Sequence, residues 1–123
     1  GNALERIKLL MAAGKVADEN ETIMQEIHRP GNSGMHARLL AVAINKQAPL
    51  YAQLFQQGCD EGLFQTANPL ETAEFILSAM QFLTDQGIYS WSIEDLMRRA
   101  QALPAIIETQ LKAKPGSFQF LAA

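Results

Sequence analysis

Apolar residues along the 123-residue chain recur at helical rather than strand spacing. Leu4, Ile7, Leu10 and Met11 lay one stripe on a helix over residues 3–13, and Gly14 is its expected stop. Val16, Ile23, Met24 and Ile27 do the same over 16–29, before the cluster Pro30-Gly31-Asn32-Ser33-Gly34 breaks the chain. From Met35 to Gly62 the pattern is greasier, with few polar positions between Leu39 and Ile44 and with Tyr51, Leu54 and Phe55 beyond. Pro49 lies inside this segment, so a kink or break is expected near Gln47 or Ala48. Gly62 supplies a left-handed stop, with Leu63 placed to fold back on the last turn.

The next start is Asn68-Pro69-Leu70-Glu71, an expected N-cap, a preorganised first position and a box-like Glu71. Ser92-Ile93-Glu94-Asp95 opens the last helix, with Trp91 and Leu96 at staple positions. Its stripe is Ile93, Leu96, Met97, Ala100, Leu103, Ile107 and Leu111; Pro104 should bend it, and Lys112 and Lys114 suit its C-terminal end. No alternating run exceeds about four residues and no Asn-Gly or Asp-Gly hairpin turn occurs. The pattern predicts an all-α, single-domain helical bundle of five to six helices over residues 1–123.

The helix over residues 70–87 is apolar on two sides. At about 100° per residue, Phe75, Ala79, Phe82 and Gln86 share one arc, and Ala73, Ile76, Leu77, Met80, Leu83 and Gly87 share another. Glu71, Glu74, Ser78, Gln81 and Asp85 take the remainder. One arc suffices for a core in so small a domain. The other is either covered by a second copy or packed by the chain itself, with this helix at the centre. In the first case the last two helices would meet their mates as a four-helix bundle about a two-fold axis. The homodimer face would then comprise Phe75, Ala79, Phe82, Gln86, Met97, Ala100, Ile107 and Leu111.

Composition narrows the function classes. Apolar residues at 48% and charged residues at 19% describe a globular chain rather than a disordered one. A net charge of −3 with ten scattered cations argues against nucleic-acid binding by this chain itself. No apolar run reaches the roughly 18–20 residues of a membrane span, and no signal-peptide pattern is read at the start. The single Cys59 excludes an internal disulfide and fits a reducing, cytoplasmic setting.

The run APLYAQLFQQGCDEGLFQTANPLETAEFILSAMQFL resembles the C-terminal domain of TetR-family transcriptional repressors. Gln57-Gly58-x-x-Glu61-Gly62-x-Phe64 carries the likeness, with Asn68-Pro69 opening a helix that contains Ala73; the closing KAKPGSFQFL is similar to the ends of such proteins. The resemblance implies a homodimeric domain that holds a small-molecule effector. Operator DNA would be read by an N-terminal helix-turn-helix, which does not precede residue 3 here. ALERIKLLMAAG would correspond to the connecting helix. The chain opens Gly1-Asn2 without a methionine, which leaves open a fragment, a processed chain or the ordered part of something longer. A different class remains open: a helical adaptor whose Phe75/Phe82 face binds another protein, with no small ligand.

The family shares no pocket motif, so candidate ligand contacts rest on periodicity alone. They are Met11, Met35, His36, Leu39, Tyr51, Leu54, Met80 and Thr84. An apolar lining suggests a small hydrophobic or aromatic effector, and methionine adapts to varied ligands. Plain core packing is the competing assignment for each apolar member, and a half-exposed helix-start residue is the competing assignment for His36. Gln53 and Trp91 carry the same ambiguity. No enzyme, cofactor or metal site is expected. Glu26 and His28 are two apart rather than the three of a di-iron motif. His28, His36 and Cys59 lack ligand spacing, and no phosphate loop or nucleophile elbow occurs. The acidic run Asp18-Glu19-Asn20-Glu21 is a solvated first turn.

Overall fold

A computed structural model of the chain describes residues 1–18, 33–84 and 91–122. The described residues form four α-helices and no strand: α1 (Ala3–Asp18), α2 (Ser33–Asp60), α3 (Pro69–Leu83) and α4 (Ile93–Leu111), closed by a short 3₁₀ helix (Gln119–Ala122). The pattern predicted five or six helices. Of the helix expected over 16–29, residues 16–18 belong to α1 and the rest lies outside the described residues, as does most of the expected Pro30–Gly34 break.

Neither the stop expected at Gly14 nor a break at Pro49 occurs. α1 runs through Gly14, because an interior glycine costs only about 1 kcal/mol relative to alanine and does not end a helix without a left-handed turn. α2 runs unbroken through Pro49. The ring frees the carbonyl of Asn45, but both residues lie on the exposed side of α2, where water satisfies it. α4 likewise continues through the buried Pro104.

The helix ends show local chemistry at work. Asn2 caps α1, its Oδ1 accepting from the Glu5 N–H at 2.9 Å. α2 closes in a Schellman turn: Gly62 sits at φ 81°, its N–H donates to Cys59 O at 3.1 Å, and the Leu63 N–H reaches Gly58 O at 2.8 Å. α3 departs from expectation. Asn68 stands at the N-cap, but its side chain makes no capping bond. Its own N–H donates to Thr66 Oγ1 at 3.2 Å, and Thr66 pairs with Thr72 hydroxyl to hydroxyl at 3.0 Å. The threonine pair, not an Asn68–Glu71 box, fixes this start. Ser92 caps α4 through the Asp95 N–H at 3.1 Å. Lys112 closes α4 in the left-handed region at φ 51°.

α2 and α3 form the most extensive helix pair, α1 packs on α2, and the 3₁₀ helix packs on α4. The core gathers where the start of α1, the second half of α2, the turn after it and the ends of α4 and the chain converge. Ala3, Ile7, Phe55, Ile107, Leu111 and Phe118 are buried there. A file of rings runs through it: Tyr51–Phe55 at 6.3 Å, Phe55–Phe64 edge-on at 6.1 Å, Phe64–Phe118 at 5.9 Å and Phe118–Phe120 at 5.8 Å. The tail is locked in by the buried Glu108, whose Oε2 accepts from the Phe118 N–H at 2.8 Å.

α3 and α4 run antiparallel. Trp91 Nε1 donates to Leu83 O at 2.8 Å, tying the start of α4 to the end of α3. At the other end the Gln65 N–H donates to Leu111 O at 2.7 Å, tying the approach to α3 to the end of α4.

Candidate functional site

α3 spends one arc on α2: Ala73, Ile76 and Leu77 are buried and Met80 packs against the core. The opposite arc is exposed. Phe75 is 65% and Phe82 45% accessible, and Leu83 is exposed beside them. These side chains, with Glu71, Glu74, Ser78 and Ala79, line an open trough of about 550 Å³ along the helix. All of these residues belong to α3. It is a shallow, open surface feature, not an enclosed small-molecule cavity.

α4 divides along its length. Its stripe is exposed in the first half, with Ile93 at 68% and Met97 at 53%, and buried in the second half at Pro104, Ile107 and Leu111. Ile107, at 2%, and Leu111, at 0%, therefore belong to the chain's own core. As members of a dimer face they are corrected: the 3₁₀ segment and Phe118 occupy the space a second copy would need. Ala100 is half-buried between the two regimes, Ala79 is half-buried on α3, and Gln86 lies outside the described residues.

The candidate ligand residues do not gather as one set. Tyr51 and Leu54 are buried core residues, and Met11 and Met80 pack against that core. Met35 and Leu39 are exposed near the start of α2. Thr84 is exposed at the end of α3, where its hydroxyl donates to Met80 O. The side chain of His36 lies outside the described residues. Gln53 is exposed. Trp91 is half-buried, with the Arg99 guanidinium 3.6 Å above its ring. Among the described residues no group of three His, Cys, Asp or Glu is placed to hold a metal, and no helix is long and apolar enough to cross a membrane.

The residues of the run Gln57–Phe64 prove architectural. Gly58 is buried with no room for a Cβ, which would meet the Phe64 ring at 2.1 Å. Glu61 accepts the Ala3 N–H at 2.8 Å through Oε1 and the Gln57 amide at 2.8 Å through Oε2. Gln57 Oε1 in turn accepts from Arg6. This polar clasp ties the first turn of α1 to the last turn of α2. The Gln57 amide, then the Ala3 N–H, hold the Glu61 carboxyl below the ordinary glutamate value; the amino terminus and Arg6 add smaller favourable fields. In the sequence, Gln57, Gly58, Glu61 and Phe64 carry the family likeness without a structural role of their own. The Gly58 requirement needs the position of Phe64 across the turn, which spacing alone does not give.

The described residues thus form four helices around one eccentric core, with an apolar helix face exposed. A family model described as the tetracyclin repressor-like C-terminal domain matches residues 15–106, and the chain belongs to that family. A comparison with curated proteins gives no match.

Proposed function

We propose that this chain is the dimerisation and effector-sensing part of a TetR-family transcriptional repressor. The observation that carries the reading is the bare face of α3: a Phe at 65% exposure, in a domain of this family, sits on an apolar trough opposite the helix's own core arc. Two copies pair through α3 and the first half of α4, using Phe75, Ala79, Phe82 and Met97. In the parent protein, acting in the cytoplasm, an N-terminal helix-turn-helix reads the operator.

A small hydrophobic or aromatic effector enters between α1, α2 and α3, where Met11, Tyr51, Leu54 and Met80 border the core and Met35, His36, Leu39 and Thr84 lie toward the opposite end. Its binding shifts the dimer between DNA-competent and DNA-incompetent states, with a coupling of order 1–3 kcal/mol. α1 is suited to carry the shift, since its first turn is clasped to α2 through Glu61 and buried at Ala3 and Ile7.

Sedimentation velocity of the chain and of Phe75→Asp tests the pairing. The wild type should sediment as a dimer and Phe75→Asp as a monomer of unchanged helicity. Loss of helicity in the variant would make Phe75 a core residue and remove the basis of the reading. Native mass spectrometry of the same sample should retain a co-purified small molecule in the dimer.

A further inference from the structure

Resting on the proposed effector reading, we infer that the effector is uncharged and that an amide pair, Gln47 of α2 and Gln81 of α3, recognises it through a hydrogen-bond donor and acceptor set side by side. Gln81 Nε2 donates to Gln47 Oε1 at 2.9 Å, and both side chains are half-buried. Gln47 lies one turn before the buried Tyr51, and Gln81 one turn after the buried Leu77, so each shares the inward side of its helix. The pair therefore continues the α2–α3 seam from the core toward the region proposed for the effector.

A primary amide donates through its nitrogen and accepts through its oxygen. The bond between the two side chains uses the carbonyl of Gln47 and one hydrogen of Gln81, and neither amide makes a further bond among the described residues. Gln47 keeps its amino group and Gln81 its carbonyl. Turning both amides over leaves the same two free ends with the residues exchanged. No buried side-chain nitrogen or oxygen of the described residues lacks a partner, so the free ends are open to solvent and to a ligand. Ile44, Tyr51, Leu77 and Met80, which accompany the pair inward, are uncharged. The cations of this half of α2, Arg38 and Lys46, are exposed, and Glu71 and Glu74 border the outer trough of α3. A carboxylate or an ammonium seated beside the pair would lose its water without a countercharge, which costs far more than burying a neutral group that finds hydrogen bonds. A carboxamide or lactam edge on an apolar body meets both free ends at once.

Equilibrium dialysis of the chain tests this with naphthamide, naphthoate and methylnaphthalene, probes of one shape substituted at a common position. Naphthamide should bind about tenfold tighter than methylnaphthalene, and naphthoate should bind more weakly than either. Gln47→Leu and Gln81→Leu should each bring naphthamide down to the level of methylnaphthalene, with methylnaphthalene binding and circular dichroism unchanged. A pair that only ties α2 to α3 would, when removed, weaken all the probes alike, and that result would overturn the inference. Naphthoate binding as tightly as naphthamide would overturn it too, as would a preference for naphthamide that survives both substitutions. Binding of none of the probes by the wild type would instead overturn the effector reading on which the inference rests.

Discussion

Gly58 is the residue on which the turn after α2 depends. Its missing side chain lets the Phe64 ring lie against the helix, and that ring is held by Phe55 on one side and Phe118 on the other. Alanine would improve helix propensity by up to about 1 kcal/mol, yet its methyl group would have to displace a pinned aromatic ring, and overpacking of that kind costs about 1–3 kcal/mol. Overpacking should win. Gly58→Ala is expected to lower the urea unfolding free energy by about 1–2 kcal/mol, and adding Phe64→Leu should return part of it. A stabilised Gly58→Ala would show that the ring moves freely and that the turn is looser than it looks. Residues whose role is local were legible beforehand: Gly62 in the left-handed region and Ser92 at its cap answer to their immediate neighbours. Asn68 was misjudged because Thr66 and Thr72 offered the competing hydroxyls, two residues before it and four after.

Between helices, the clasp of Glu61, Gln57, Arg6 and Ala3 fixes where α1 starts on α2. It is also pH-sensitive in a stated direction. The Glu61 carboxyl titrates below its ordinary value because its charged form accepts from Gln57 and Ala3. A depressed folded-state value means the contribution is fully present above the ordinary glutamate value of 4.5 and fades as pH falls through the lower, folded one. Glu61→Gln keeps an acceptor for the Ala3 N–H but has no proton to gain. Denaturant melts should therefore place the variant below the wild type at pH 7, with the gap closing on the acid side of the ordinary value. A gap independent of pH would show that the charge of Glu61 has no part in the clasp. Helix existence and order in the described residues followed from the apolar period, while the clasp, which joins residues 58 positions apart, had no signal in that period. Helix continuity was the poorest inference. The surface position of Pro49 and the absence of a left-handed turn at Gly14 decided it, and neither can be known before the fold places the helix against water.

For the whole molecule the consequence of an eccentric core is incompleteness. The chain closes its aromatic file at one end and leaves Phe75, Phe82, Ile93 and Met97 exposed elsewhere. The two-sided pattern of the α3 helix was legible as a second apolar arc, because periodicity reports which residues share a face. The uselessness of Ile107 and Leu111 for pairing was not, because periodicity is blind to which part of a stripe the chain's own tail covers. If a second copy completes the bundle, folding and pairing are linked by mass action, and the melting temperature must rise with protein concentration. Unfolding a dimer releases two chains, so each tenfold increase in concentration adds about 0.7 kcal/mol per chain. Divided by an unfolding entropy of roughly 0.26 kcal/mol/K for a chain of this length, that is a rise of about 2–3 °C. Calorimetry over a hundredfold range should show about twice this shift for the wild type and none for Phe75→Asp. A flat wild-type profile would mean that the bare face of α3 contributes nothing to folding by self-association.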